Sequence, residues 1–368
     1  MFRPAAKVGS TKYGGGHIHT HLEKSPGLGA EEWTQLEDIY SHGLAKKTWS
    51  NYRTAERLLA NCCKEKNIKL ELPVTEGTLL IFIHWLLFKR KAKVGTIRNY
   101  LAGIRQLHIM KGAPYSESRT SRISMLLTGI KNREMADKRR AGVEQRKPIT
   151  TDTLRILKAR IAGSDMPGVD QRLVWTVSSI LFHGAFRIHE LLSKTELTFD
   201  PAYTLLEQDI KLVEGRPGEE SAVLQLQLKN PKENKKNSTV IVDVYETGSD
   251  LCPVRAFKKW SKYRLQDPDL PVFRFSNGIP LTGGRFNKIL RERLKGHVEG
   301  AETMFSSHSF RSGAASMMGT LGFSDNEVKA VGRWSSRAFL DYIKLPRTNR
   351  IEVAKVWKNS GPHSRPQK

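Results

Sequence analysis

Apolar residues return at helical spacing through most of the chain. Between Glu31 and about Glu134, four segments carry the pattern: residues 45–66, 75–90, 95–110 and 118–133, where apolar positions recur every three or four residues. Thr75 and Thr96 stand near helix starts, and Gly112 followed by Pro114 marks a stop. The third segment, GTIRNYLAGIRQLHIM, sets Ile97, Leu101, Ile104 and Leu107 on one face, with Arg98 and Arg105 off that stripe. The longest apolar run, residues 79–88, is about half the roughly 20 residues of a membrane span. It reads as a buried core helix.

The second half mixes periods. Residues 151–162 and 171–182 read as helices, and runs at 206–213, 222–228 and 239–245 alternate or are β-branched, as strands are. A lysine-rich turn with Lys229, Lys232 and Lys235 joins the last two. Helices resume at 253–263 and 282–295, and Ser324 with Glu327 has the spacing of a capping box. The pattern predicts a mainly α fold with a small antiparallel β-sheet, in two domains. The expected boundaries are a disordered basic tail at 1–30, a helical domain at 31–135, and a charged linker at 136–148. An α+β domain follows at 149–350, then a basic C-terminal tail at 351–368.

Charge changes the picture. Lysine and arginine number 61 against 37 aspartate and glutamate, a net +24, and the pI is about 10.0. Such an excess points to a polyanionic partner. Nucleic acid fits better than a membrane, because the basic residues are spread over many segments and no lipidation motif accompanies them. Three cysteines, Cys62, Cys63 and Cys252, form neither a disulfide framework nor zinc-ligand spacing, which implies an intracellular setting. No apolar signal-peptide core precedes residue 31. His17, His19 and His21 alternate in the N-terminal tail, where nothing nearby fixes a metal geometry, so they read as solvated and no metal is expected.

Candidate chemistry concentrates in residues 306–342, SSHSFRSGAASMMGTLGFSDNEVKAVGRWSSRAFLDY. His308 and Arg311 lie at i and i+3 of a predicted helix, on one face. Trp334 sits in a Gly-Arg-Trp-Ser-Ser turn and Tyr342 follows eight residues later. Upstream, residues 185–192 (AFRIHELL) place Arg187 at a helix start with Glu190 one turn on. An imidazole, two guanidiniums, an indole and a phenol suit a phosphate, with the phenol as attacker. Taken singly, each is weak: Arg187 before Glu190 is commonly a surface ion pair, Trp334 an aromatic anchor, and Tyr342 after Phe339 plain core.

Arg187, a hairpin lysine, His308-x-x-Arg311, Trp334 and Tyr342, in that order behind a basic helical domain, resemble the tyrosine recombinases (phage-integrase family). The Arg-Trp-Ser-Ser run is similar to versions in eukaryotic mobile elements of the DIRS and Crypton type. The resemblance covers roughly residues 45–345 and is most specific at 185–192 and 306–343. It implies a helical core-binding (SAM-like) domain with DNA contacts at Lys93, Arg98 and Arg105, followed by an α+β catalytic domain. It implies cleavage and rejoining of DNA through a 3′-phosphotyrosyl bond on Tyr342, without metal, ATP or other cofactor. Arg187 and Arg311 would fork onto phosphate oxygens, with Glu190 orienting the cations. A phenol with a pKa near 10 is only about 0.1% ionised at neutral pH, so these cations would favour its phenolate. His308 would donate to the phosphate or take the phenol's proton. Trp334, where many members have histidine, is a donor only and cannot be the base. Lys232 is the choice for the acid on the leaving 5′ oxygen, with Lys229 and Lys235 close by as alternatives or DNA contacts. His189 stands where a small residue is commoner, and the gap of eight from Trp334 to Tyr342 is often nine in the family. The resemblance further implies double-stranded DNA as partner, a homo-tetramer on two DNA sites with each protomer clamping DNA between its domains, no membrane, and nuclear residence. The rival readings are a type IB topoisomerase that relaxes DNA as a monomer, and an inactive DNA-binding derivative of the fold.

Overall fold

The computed structural model describes residues 7–8, 27, 29–115, 122–141, 146–215, 222–229, 239–334 and 339–340. The chain divides into two units, one of residues 13–144 and one of residues 1–12 with 145–368.

The first unit is helical: α1 (Ala30–His42), α2 (Lys46–Glu65), α3 (Glu76–Phe88), α4 (Val94–Met110) and α5 (Arg122–Arg140). Thr75 caps α3 by accepting from the backbone N–H of Thr78 at 3.2 Å. Leu79, Phe82, Ile83 and Leu86 of α3 meet Leu59, Ile97, Leu101 and Ile104 in one core. Leu107 is only half-buried. His108, rather than the expected Leu107, takes the inward place, with Nε2 accepting from Val74 N at 2.9 Å and Nδ1 donating to Ile104 O at 2.7 Å. Helix α5 runs through the first residues of the expected linker. Glu134 Oε1 accepts from Val94 N at 2.7 Å, and Lys138, Arg139 and Arg140 in the last turn complement the helix dipole.

The second unit is built around α7 (Gly168–His183). From Leu173 to Phe182 only Trp175 is not fully buried, so the helix is apolar on nearly every side and must lie inside. Its polar members are satisfied locally: Thr176 donates to Ala256 O at 3.1 Å, Ser178 to Val174 O at 2.8 Å and Ser179 to Leu251 O at 2.5 Å. Helix α6 (Thr151–Ala162) precedes it; α8 (Ile188–Leu191) follows. Two short strands, β1 (Lys7–Val8) and β2 (Thr198–Phe199), pair in parallel. The rest of the expected tail at 1–30, apart from residues 27, 29 and 30, lies outside the described residues.

Strands β3 (Ile210–Val213), β4 (Val223–Lys229) and β5 (Thr239–Tyr245) form an antiparallel sheet in the order β3-β4-β5. Leu224, Leu226 and Leu228 point inward at period two, each contributing about 1.5–3 kcal/mol by burial. The expected strand at 206–213 begins late, because residues Glu207–Asp209 form a 3₁₀ turn. The Asp209 carboxylate accepts from Leu206 N at 2.8 Å, which closes that turn.

Helices α9 (Pro253–Ser261), α10 (Gly283–Leu294), α11 (Ala301–Met304), α12 (Ser307–Thr320) and α13 (Asp325–Gly332) complete the unit. Residues 147–149 dock on this group through Lys147 N to Met304 O at 3.1 Å and Ile149 N to Ser309 O at 2.9 Å. The approach needs Gly313, where an added Cβ would stand 2.0 Å from the Ile149 carbonyl oxygen. Gly313→Ala must therefore push α12 off the 147–149 segment. A destabilisation of about 3 kcal/mol is expected, at the upper end for overpacking, readable as a lowered urea midpoint. Among the described residues no helix is long and apolar enough to cross a membrane.

Candidate active site

Two short turns and one helix start make the site. The first turn, residues 184–187, leaves α7 and enters α8. Ala185 adopts a left-handed backbone (φ 45°) and is fully buried beside Phe186. Arg187 then caps α8, and Glu190 reaches back to it: Oε2 accepts from Arg187 N at 2.8 Å and Oε1 from Arg187 Nη1 at 3.0 Å. The i,i+3 relation expected from the sequence is present, with the carboxylate nearly buried.

The second turn, residues 332–334, ends α13. That helix opens with the expected capping box, Ser324 N donating to Glu327 Oε2 at 2.7 Å. At its other end Trp334 N bonds Lys329 O at 3.0 Å and Arg333 N bonds Ala330 O at 3.1 Å. These are the paired bonds of a Schellman motif. Arg333 occupies its left-handed position (φ 53°, ψ 48°), where glycine is usual. A side chain there costs about 1 kcal/mol, which its contacts must offset. Gly332 is required for a different reason: an added Cβ would lie 1.7 Å from the Trp334 ring.

Helix α12 supplies His308 and Arg311. Arg311 is 2% exposed. Its Nη1 donates to the Ala185 carbonyl and its Nη2 to the Gly332 carbonyl at 2.5 Å, so one guanidinium joins both turns. Its Cζ lies over the Trp334 ring, 4.2 Å from the centroid. Trp334 itself packs with Ala185, Ala314, Ala315, Val328 and Phe339 in a small cluster under the site.

His308 keeps an exposed side chain one turn before Arg311. Partial loss of hydration, then the positive charges of Arg146, Arg311 and Arg187, hold its pKa below the usual histidine value. Each of these causes disfavours the imidazolium, so the neutral ring persists to lower pH. In an NMR titration His308 is expected to reach its midpoint below about 6.5. Arg146→Ala is expected to raise it, since one like charge is removed; an unmoved midpoint would take Arg146 out of the site.

Arg187, Glu190, His308, Arg311 and Trp334 thus come together. Lys229 does not join them in the same way: its ammonium is 2.6 Å from the nearly buried Asp209 carboxylate, which ties it to the sheet. Lys232, Lys235 and Tyr342 lie outside the described residues. Lys93, Arg98 and Arg105 belong to the first unit, where all three are exposed and have no salt-bridge partner among the described residues.

Two residues were missed in the sequence. Arg146 looks like any cation of a charged stretch until residues 147–149 are seen pinned to α11 and α12. Arg333 was masked by its neighbour Trp334. Its Nη2 bonds Glu190 Oε2 at 3.0 Å and its Nη1 bonds Gly184 O at 3.1 Å. Its only sequence signal is a long cationic side chain where a helix end usually has glycine.

No family model and no curated protein matches the chain. Solved structures do match. One is the XerH site-specific recombinase bound to palindromic difH substrate in a post-cleavage complex, with TM-score 0.55 and 13% identity, covering 88% of this chain and 83% of that one. Another is the Tn1549 transposon integrase in complex with transposon right end DNA, with TM-score 0.53 and 12% identity, covering 88% and 98%. XerH in a pre-cleavage complex gives TM-score 0.50 and 13% identity over 84% and 79%. The chain has the tyrosine-recombinase fold, helix-rich with a small antiparallel three-stranded sheet.

Proposed function

We propose that the chain is a site-specific DNA recombinase or integrase that cleaves and rejoins double-stranded DNA through a covalent 3′-phosphotyrosyl intermediate. The observation that carries the reading is the joining of both turns by Arg311, with Glu190 holding Arg187 and the cations of both arginines acting on His308. Two guanidiniums beside an imidazole kept neutral make a site for a phosphodiester whose charge grows in the transition state.

In the proposed step Tyr342 Oη attacks phosphorus and its proton passes to His308, which partial desolvation and then the neighbouring charges keep in the accepting form. The bond from phosphorus to the 5′ oxygen breaks, and that oxygen takes a proton from Lys232. Rejoining reverses the step with the 5′ hydroxyl of a second strand, so the phosphoryl bond is conserved and no ATP is consumed. The net charge of +24 and the exposed Lys93, Arg98 and Arg105 support backbone contacts to the duplex. The Arg-Trp-Ser-Ser run at 333–336 supports placing the protein with recombinases of eukaryotic DIRS- or Crypton-type mobile elements, and hence in the nucleus, as a tetramer on two sites.

A duplex selected from a randomised pool by binding to the full chain, then nicked beside the cleavage position to trap the intermediate, provides the test. Mass spectrometry of the adduct and exchange between two-site plasmids are the readouts. An adduct with exchange supports the reading. An adduct with relaxation alone supports a topoisomerase, and binding without adduct supports an inactive derivative.

A further inference from the structure

We propose that Arg333 is a positioning residue of the cleavage site: it acts by holding Glu190, which in turn sets the orientation of Arg187. The inference rests on the reading above, in which Arg187 meets the scissile phosphate.

The carboxylate of Glu190 serves two arginines. Oε1 takes Arg187 Nη1 at 3.0 Å, while Oε2 takes Arg187 N at 2.8 Å and Arg333 Nη2 at 3.0 Å. The Glu190 side chain is 9% exposed, so water cannot readily replace a lost partner. Arg333 is itself held on three sides: Nη1 bonds Gly184 O and Val331 O, each at 3.1 Å, and the guanidinium lies 4.6 Å from the Phe186 ring centroid. A side chain so engaged is already oriented through its own contacts and serves as an anchor for the carboxylate. It also stands in a left-handed position where glycine carries no penalty. An observed outlier of that kind, in the turn that leads toward Tyr342, marks a place where the side chain is kept for what it holds.

The clasp has a second consequence. Arg333 joins the turn at 332–334 to the turn at 184–187, as Arg311 does through the Ala185 and Gly332 carbonyls. Arg311 fixes how close the turns come, and Arg333 fixes which way Arg187 faces.

The test compares Arg333→Ala, Arg333→Lys, Arg187→Ala and the Arg187→Ala/Arg333→Ala pair. Each is given the selected duplex with an ordinary phosphodiester, and the same duplex with a neutral methylphosphonate at the scissile position. If Arg333 acts through Arg187, Arg333→Ala slows adduct formation on the phosphodiester by about 10²-fold, the scale of a misplaced group. DNA affinity stays unchanged. The defect shrinks on the methylphosphonate, where the charge that Arg187 meets is gone, and it vanishes in the Arg187→Ala background. Lysine restores part of the rate, since it can pair with Glu190 without the fork. An equal defect on both substrates, or an additive double variant, would mark a merely structural residue and overturn the proposal; so would a wild-type rate in Arg333→Ala. Should Arg333→Ala fail to fold, the lysine variant carries the same comparison. A wild-type protein that forms no adduct on the phosphodiester overturns the strand-transfer reading itself, and is told apart by that control.

Discussion

Arg311→Lys is expected to cut adduct formation by about 10³-fold and to weaken the fold by about 3 kcal/mol. Lysine keeps the charge, so any loss reports geometry. The native guanidinium serves two carbonyls at once, Ala185 O and Gly332 O. This planar group also lies over the Trp334 ring, its Cζ 4.2 Å from the centroid. An ammonium is a compact point charge without that planarity. It would reach one carbonyl at a time, leaving the other buried and unpaired, a loss worth about 1–3 kcal/mol by itself. The stitch between the turns would loosen with it, and Arg187 and His308 would lose their common frame. Single-turnover adduct formation and a urea midpoint measure the two effects separately. If cleavage stays within tenfold of wild type while stability falls, Arg311 is a structural brace and the phosphate lies elsewhere.

Most helices could be read from spacing because their burial is local in origin. The α3 start at Thr75 and the α13 start at Ser324 follow from a hydroxyl three residues ahead of an N–H that needs a partner. The strands of the sheet were legible where leucines alternate, and illegible at 206–209, where a carboxylate on Asp209 turns the chain first. Within the site the same division holds. The link from Arg187 to Glu190 is three residues long and visible as a pattern. The link from Arg333 to the same carboxylate spans 143 residues, and nothing in the local sequence of either partner announces it. Lys229 and Asp209 are hidden from each other for the same reason. Trp334 was expected for its N–H, and the fold also sets its ring against the Arg311 guanidinium. A stacking partner depends on orientation, and composition carries none.

Tyr342→Phe removes one oxygen and nothing else, and it is expected to leave no trappable adduct while DNA binding is retained. The reason is chemical. The other groups of the site polarise a phosphodiester, but none of them is an alkoxide or phenolate able to carry the 3′ phosphate. Arg187, Arg311 and His308 would continue to bind the backbone, so affinity measured on the selected duplex should match that of the wild-type chain. The combination of full affinity and zero adduct separates this variant from Arg311→Lys, whose defect is graded and accompanied by lost stability. The chain has nine tyrosines, and the exposed ones among the described residues include Tyr203, Tyr245 and Tyr263. Tyr245 closes β5 at its end, and Tyr263 lies against the Arg172 guanidinium at 4.9 Å. Phenylalanine at those positions is expected to leave adduct formation intact. An adduct that persists at wild-type yield in Tyr342→Phe, and maps to one of these other tyrosines, would move the nucleophile and remove the basis for assigning the arginine cage to strand cleavage.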